Sequence, residues 1–318
     1  MPEGSPKFAD LDPAKFLDPY VTAKGEVRAS VPMVQLETLW FNTGSLCNIQ
    51  CENCYMDSGP KNDALAYLQS SHIDSFLDEA KALQLPLKTV GFTGGEPFMN
   101  PDLVDMLENA LKRGFNVVVL TNAMKPLWHK RKALLDLKTR YNSDQLTFRV
   151  SIDHFTRDLH EQERGDDTWP PMEIGIKWLS QHGFQLNVAG RTQWGEDEMQ
   201  SRRGYQKLFD TLNLSINAFD SVQLVLFAEM DEHIDVPEIT TACWEILGVR
   251  PDVQMCATSR MVAWRKGEPV PFVTPCTLLP NAPSFDMGQS LKNALGDIQL
   301  NHPHCAKFCV LGGCSCAA

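Results

Sequence analysis

The chain has 318 residues, a net charge of −11 and 43% hydrophobic residues, enough for one large domain or two ordinary ones with a sizeable core. No block rich in lysine or arginine occurs, which argues against nucleic-acid binding through a basic surface. No run approaches the ~18 apolar residues of a membrane span, and the polar start Met1-Pro2-Glu3-Gly4-Ser5-Pro6 carries no secretory signal, so a cytoplasmic location is expected.

Residues 1–35 read as an extension rich in proline and charge, with a short helix near Ala14-Lys15-Phe16-Leu17. From residue 36 the pattern alternates strand and helix, which argues for a parallel sheet. Strands are expected at 36–42, 89–92, 116–120, 146–152, 185–189 and 222–227. Helices are expected at 72–83, 101–113, 125–139, 171–181 and 199–212. Ser71 and Asn100 are the expected caps of the first two helices. Val117-Val118-Val119 has the unbroken apolar character of a strand buried on both faces. A full (β/α)8 barrel needs eight steps and typically ~250 residues. The expected fold class is therefore α/β, a partial (β/α)6 TIM-like barrel over 36–230. A small cysteine-rich α+β extension over 231–318 follows, with a hairpin at 260–274 and a short helix at 286–295. Right-handed crossovers place every strand's C-terminal end on one rim, where chemistry in such folds sits.

Ten cysteines without an export signal point to metal or redox chemistry in a reducing compartment. Cys47, Cys51 and Cys54 follow the first strand with spacing C-x3-C-x2-C. Thiolates suit iron–sulfur clusters or zinc. Three of them can hold three irons of a cubane and leave the fourth iron open. Structural zinc usually takes four protein ligands in two close pairs, and the next Cys or His after Cys54 is His72. No cysteine then occurs before Cys243, which sits beside Trp244 and reads as a buried thiol. The rest are Cys256, Cys276, Cys305, Cys309, Cys314 and Cys316.

Other rim groups follow the strands. Thr93-Gly94-Gly95-Glu96-Pro97 comes after the second strand, and two glycines there let a backbone approach a ligand closely. Ser151 and Asp153 alternate on the fourth strand and so share a face. His154 is a rim proton donor or a solvated side chain. Arg191, after the fifth strand, can fork onto a carboxylate or serve a structural ion pair. Val225 and Leu226 offer apolar contacts or plain core.

The cysteine triple followed by Gly94-Gly95-Glu96-Pro97 resembles the radical S-adenosylmethionine (radical SAM) superfamily. The resemblance implies a [4Fe-4S] cluster on Cys47, Cys51 and Cys54, with SAM chelated at the open iron. It implies that Gly94, Gly95 and Glu96 hold the SAM ammonium. It further implies reductive cleavage to a 5′-deoxyadenosyl radical, which abstracts hydrogen from a substrate. Ser151 and Asp153 would bind the ribose diol or the SAM carboxylate, and Arg191 that carboxylate. One position departs: Asn53 stands where the family usually has an aromatic, and Tyr55 would supply the apolar cover. The tail, with its hairpin, cysteine, helix and clustered cysteines, resembles the auxiliary-cluster extensions called SPASM and twitch without matching the full SPASM spacing. One auxiliary [4Fe-4S] cluster is implied, with candidate ligands Cys276, Cys305, Cys309, Cys314 and Cys316, and with Cys256 as a competitor. The implied partners are a peptide or small-molecule substrate and an electron donor such as flavodoxin or ferredoxin. The rival readings are an iron–sulfur carrier or scaffold and a zinc-binding protein.

Overall fold

The computed structural model describes residues 12–228 and 234–313. β1 (Ser30–Val31) precedes the alternating part. That part comprises β2 (Thr38–Asn42), α1 (Ser70–Ala82), β3 (Thr89–Thr93), α2 (Leu103–Lys112), β4 (Asn116–Thr121), α3 (Lys125–Arg140), β5 (Leu146–Ser151), α4 (Arg157–Arg164), α5 (Trp169–Gln181), β6 (Gln185–Arg191), α6 (Glu198–Leu212) and β7 (Leu224–Phe227). The C-terminal part carries α7 (Cys243–Leu247), β8 (Ser259–Ala263), β9 (Phe272–Thr274), β10 (Ile298–Gln299) and a π-helical segment at Cys305–Leu311. Among the described residues no helix is long and apolar enough to cross a membrane.

The main sheet runs in the order β7-β6-β5-β4-β3-β2-β8-β9. Strands β2 to β7 pair in parallel with their neighbours in sequence, as an open (β/α) barrel requires. Val117, Val118 and Val119 of β4 are buried from both sides. On α2, Leu103, Met106, Leu107, Ala110 and Leu111 form one buried stripe at helical spacing. Burial of each large side chain in that stripe contributes about 1.5–3 kcal/mol. Gly91 of β3 lies opposite Trp40 of β2, and a Cβ there would fall 2.2 Å from the indole ring. The glycine in a buried strand is thus explained by the tryptophan beside it.

Several elements differ from expectation. The expected hairpin exists as β8 and β9, but β8 pairs in parallel with β2 and extends the main sheet. Helix α4 lies outside the expected elements, because its buried residues, His160 and Glu163, are polar and give no apolar stripe to read. The segment 286–295 forms only a single 3-10 turn at Lys292–Ala294, since Gly288 and Gly296 flank too short a stretch to repeat helical bonds. Residues 13–16 form a turn rather than a helix, with Phe16 at φ 61°. Gln69, not Ser71, caps α1 through a capping box with His72. α2 begins after Asp102, and Asn100 caps the turn that leads into it, its Oδ1 accepting from Asp102 N at 2.9 Å while its amide donates to Thr43 O and Leu68 O, both at 2.9 Å. Cys243 is only half-buried and its sulfur accepts from the Thr240 N–H at 3.4 Å.

The extension preceding β2 is tied to the C-terminal part. β1 pairs with β10. Arg28 is 2% exposed, forms an ion pair with Glu238, and donates to Asp18 O, Val21 O and Leu300 O. Removing one partner of such a pair strands the other charge in low dielectric. Glu238→Ala is therefore expected to cost about 3–5 kcal/mol in chemical denaturation, and Glu238→Gln somewhat less, because its amide oxygen still accepts from Arg28 while its NH2 meets the Ala23 N–H.

Candidate active site

A cavity opens at the C-terminal ends of the parallel strands. Cys47, Cys51, Cys54 and Tyr55 from the loop after β2 line it, with Gly94 and Gly95 after β3. Ser151 and Asp153 face it from β5 and its exit, with Ala189 and Arg191 on β6. Arg149 lines it too; it precedes Ser151 and Asp153 at the same period-two spacing and so shares their face. Sequence reasoning missed Arg149, Asn122 and Arg164 among the lining residues. Of these, only Arg149 carried a readable signal, its alternation with Ser151 and Asp153. Leu226 is absent from the lining, and Val225 is 8% exposed and packs as core.

The two glycines serve the fit between loops. Gly95 N donates to Gly44 O at 2.7 Å and Glu96 N to Leu46 O at 3.1 Å. A Cβ on Gly95 would lie 2.2 Å from Leu46 O, and one on Gly94 2.6 Å from Gly44 O. Gly94 also sits at φ +142°, a conformation open to glycine. These contacts seat the glycine turn directly on the cysteine loop. Glu96 stands behind them, 2% exposed. Its carboxylate accepts from Thr121 Oγ1 and Asn122 N at 2.8 Å each and from Phe98 N at 3.1 Å. Burial nevertheless pushes it up to about 7. Asn122 carries the link onward, donating to Asn48 Oδ1 at 3.0 Å.

A second network holds the other side. Arg164 of α4 pairs with Asp153 at 2.8 Å, and Arg191 approaches Asp153 at 3.4 Å and Glu163 at 3.3 Å. Burial works to raise Asp153, yet Arg164 and Arg191 outweigh it and hold the carboxyl below the ordinary range. Arg191 also donates to Asn53 O at 3.1 Å. His154 is neither solvated nor open to the rim: it is 3% exposed, between Thr156 Oγ1 at 2.7 Å and Glu196 at 3.0 Å.

His160 of α4 lies fully buried, edge-on to Trp169, and burial with the nearby Arg164 lowers it to about 3. The fold therefore holds it neutral, whereas the unfolded chain protonates it near 6.5. Its contribution is complete above pH 6.5 and is lost as pH falls from there toward 3. His160→Phe is expected to flatten that acid limb, measured by urea denaturation at pH 7.5 and pH 5.

The thiols differ in setting. Burial pushes Cys47 up to about 12 and Cys51 up to about 11. Neutral thiols of this kind become ligands when a metal displaces their protons. Among the described residues no three His, Cys, Asp or Glu side chains converge as ligands of a single ion. A cubane asks for something else: each thiolate takes its own iron, so the sulfurs stand apart around one cavity. Cys47, Cys51 and Cys54 around this cavity, with Arg164 close enough to favour the Cys47 and Cys51 thiolates, fit that group.

In the tail, Cys276 and Cys305 are buried, and Cys256 and Cys309 half-buried. Cys276 and Cys305 belong to an apolar cluster that also holds Val31 of β1 and Ile298 of β10, and Cys256 and Cys309 pack against it. Cys256, the weakest candidate by sequence, is the thiol whose charge is felt at Cys305. Cys256 and Cys276 both act on buried Arg260. Cys314 and Cys316 lie outside the described residues.

With this geometry in hand, comparison with known proteins gives the class. The model of the Radical SAM superfamily matches residues 41–199, half of the chain. The chain belongs to the radical SAM superfamily, whose cofactors are SAM and a [4Fe-4S] cluster. Among particular proteins, it is similar to AlbA, the antilisterial bacteriocin subtilosin biosynthesis protein of Bacillus subtilis (strain 168). The two are 30% identical over 145 residues, 45% of this chain and 30% of AlbA. It is also 26% identical over 182 residues to the 7-carboxy-7-deazaguanine synthase of Thermoplasma acidophilum, 54% of this chain and 80% of that protein. The chain thus spans less than a third of AlbA and four fifths of the synthase. In fold it is similar to Streptococcus suis SuiB bound to S-adenosylmethionine, with TM-score 0.57 and 11% identity over 80% of this chain and 64% of SuiB.

Proposed function

We propose that the chain is a radical SAM enzyme that uses the cavity after β2, β3, β5 and β6. The observation that carries the reading is the meeting of Cys47, Cys51, Cys54, Gly94, Gly95, Ser151, Asp153 and Arg191 around one cavity. When bound, a [4Fe-4S] cluster and SAM supply reductive cleavage to a 5′-deoxyadenosyl radical. The chain's part is to bind, orient and shield. Cys47, Cys51 and Cys54 hold the cluster. Gly94 and Gly95 offer backbone to the SAM ammonium, with Glu96 as the negative charge behind them. Arg191, Ser151 and Asp153 face the carboxylate and ribose side. Tyr55 covers the site at its mouth.

A groove runs from that mouth between the cysteine loop and the tail. It shares Cys54 and Tyr55 with the cavity and continues along Glu52, Asp57, Asn281 and His304. Among the described residues its acidic lining is Glu52 and Asp57, and no lysine or arginine lines it. This favours a neutral or cationic substrate over a strongly anionic one. AlbA's name refers to bacteriocin biosynthesis and the synthase's to a small molecule, so peptide and metabolite both stay within the reading. The tail supports one auxiliary [4Fe-4S] cluster, with Cys256, Cys276, Cys305 and Cys309 as its described candidates and Cys314 and Cys316 beyond them. We place the protein in the cytoplasm, with flavodoxin or ferredoxin as electron donor.

The test is anaerobic reconstitution with iron and sulfide, followed by dithionite and SAM. Formation of 5′-deoxyadenosine is expected. Clusters without SAM cleavage would favour a carrier or scaffold, and zinc without iron or sulfide in anaerobically purified protein would favour a zinc-binding protein. Replacing all four described tail cysteines by alanine is expected to halve the iron bound per chain while leaving SAM cleavage without substrate in place.

A further inference from the structure

We infer that Glu163 of α4 is a positioning residue that clasps the cysteine loop between Cys51 and Cys54 by way of Asn53. This rests on the reading of Cys47, Cys51 and Cys54 as ligands of one cluster. Two residues separate Cys51 from Cys54, and both are held by Glu163. Glu52 N donates to the Glu163 main-chain carbonyl at 2.8 Å. Asn53 N and Asn53 Nδ2 donate to the Glu163 carboxylate at 3.1 and 2.9 Å. Gln193 Nε2 reaches the same carboxylate at 3.1 Å, and Arg191 Nη1 lies 3.3 Å from it. Arg191 then closes the circuit on Asn53 O.

A carboxylate that is 1% exposed would be costly to bury without donors. Here the donors come from the cysteine loop itself and from β6 and the turn after it. Within the loop, regular secondary structure is absent from 47 to 58, so its course is set by such outside contacts. The clasp also accounts for Asn53 at the position where the family usually places an aromatic. An amide there can donate to Glu163 from its short side chain as well as its main chain, and a phenylalanine can donate only from its main chain. Ligand loops held in place before the metal arrives lose less freedom on binding it.

The test uses metal-free full-length protein, so it does not depend on a cluster being assembled. Iodoacetamide alkylation of Cys54 is followed by mass spectrometry, with half-buried Cys243 as internal control. In Glu163→Ala, Cys54 is expected to react about tenfold faster, as loss of a clasp of several hydrogen bonds implies, with Cys243 unchanged. Glu163→Gln keeps an acceptor for Asn53 N and is expected to restore most of the protection. Asn53→Ala removes only the Nδ2 bond, since its main-chain N–H still donates, so it should speed Cys54 by less than Glu163→Ala does, and it should add nothing in the double variant, where the acceptor is already gone. Should Glu163→Ala fail to fold, as shown by Cys243 reacting faster too, Asn53→Ala decides the matter. Unchanged Cys54 reactivity in Asn53→Ala, or effects that multiply in the double variant, would overturn the inference. Iron and sulfide analysis of reconstituted wild-type protein tests the underlying cluster reading separately.

Discussion

Replacement of Cys51 by alanine is expected to abolish 5′-deoxyadenosine formation, with a loss of more than about 10³-fold in turnover. A cubane held by three thiolates has no spare protein ligand when one is removed. Cys51 is central to the triple, and its neighbours in the cavity are arginines and a carboxylate already committed to one another. Neither Asp153 nor Tyr55 is free to replace a soft sulfur. Iron content should fall with activity, while far-UV circular dichroism stays as in the parent, because Cys51 itself is only partly buried and packs little core. A variant that kept its SAM cleavage would remove this cavity from the chemistry.

The second large effect is expected at Gly95. In Gly95→Ala the new methyl would meet Leu46 O at 2.2 Å, Leu46 C at 2.5 Å and Ser45 O at 2.7 Å. All three are main-chain atoms of the cysteine loop and cannot rotate aside. Forced overpacking of this kind costs about 3 kcal/mol or more when backbone must move. The displacement falls on Leu46, next to Cys47, so iron loading should fail together with stability. Gly114→Ala is the control. Its Cβ would meet nothing within 4 Å, and only the φ of +84° is strained, a cost of about 1–2 kcal/mol. Thermal denaturation of the two metal-free variants should therefore separate them clearly. If Gly95→Ala melted above Gly114→Ala, the close seating of the two loops would be wrong.

These two positions mark how legible the site was. Cys51 is proposed as a ligand from the C-x3-C-x2-C spacing and the family resemblance it carries with Gly94-Gly95-Glu96-Pro97, because metal ligation is written in residue type and interval. Gly94 and Gly95 could be recognised as a close-approach turn, but their immediate partners are Thr43-Gly44 and the Ser45-Leu46 backbone respectively. Those contacts are long-range and leave no mark on local pattern. Glu163 and Arg164 escaped for a similar reason. Their helix, α4, buries only His160 and Glu163, so its inward face is polar and gives no hydrophobic period to read. Arg149 was readable in principle, since it alternates with Ser151 and Asp153.

The chain's alternation of apolar runs with helical stripes determined by itself that β2 to β7 form a parallel sheet with the strands' C-terminal ends on one rim. Local pattern suffices there because each strand pairs with its neighbour in sequence and each helix buries the stripe that its own residues supply. Only the tertiary structure decided that β8 joins that sheet beside β2, that Arg28 locks the first segment onto Glu238, and that Cys256, Cys276, Cys305 and Cys309 gather at one apolar cluster. Each of these joins residues far apart in the chain, and nothing in the residues themselves names the partner until packing and charge burial have selected it.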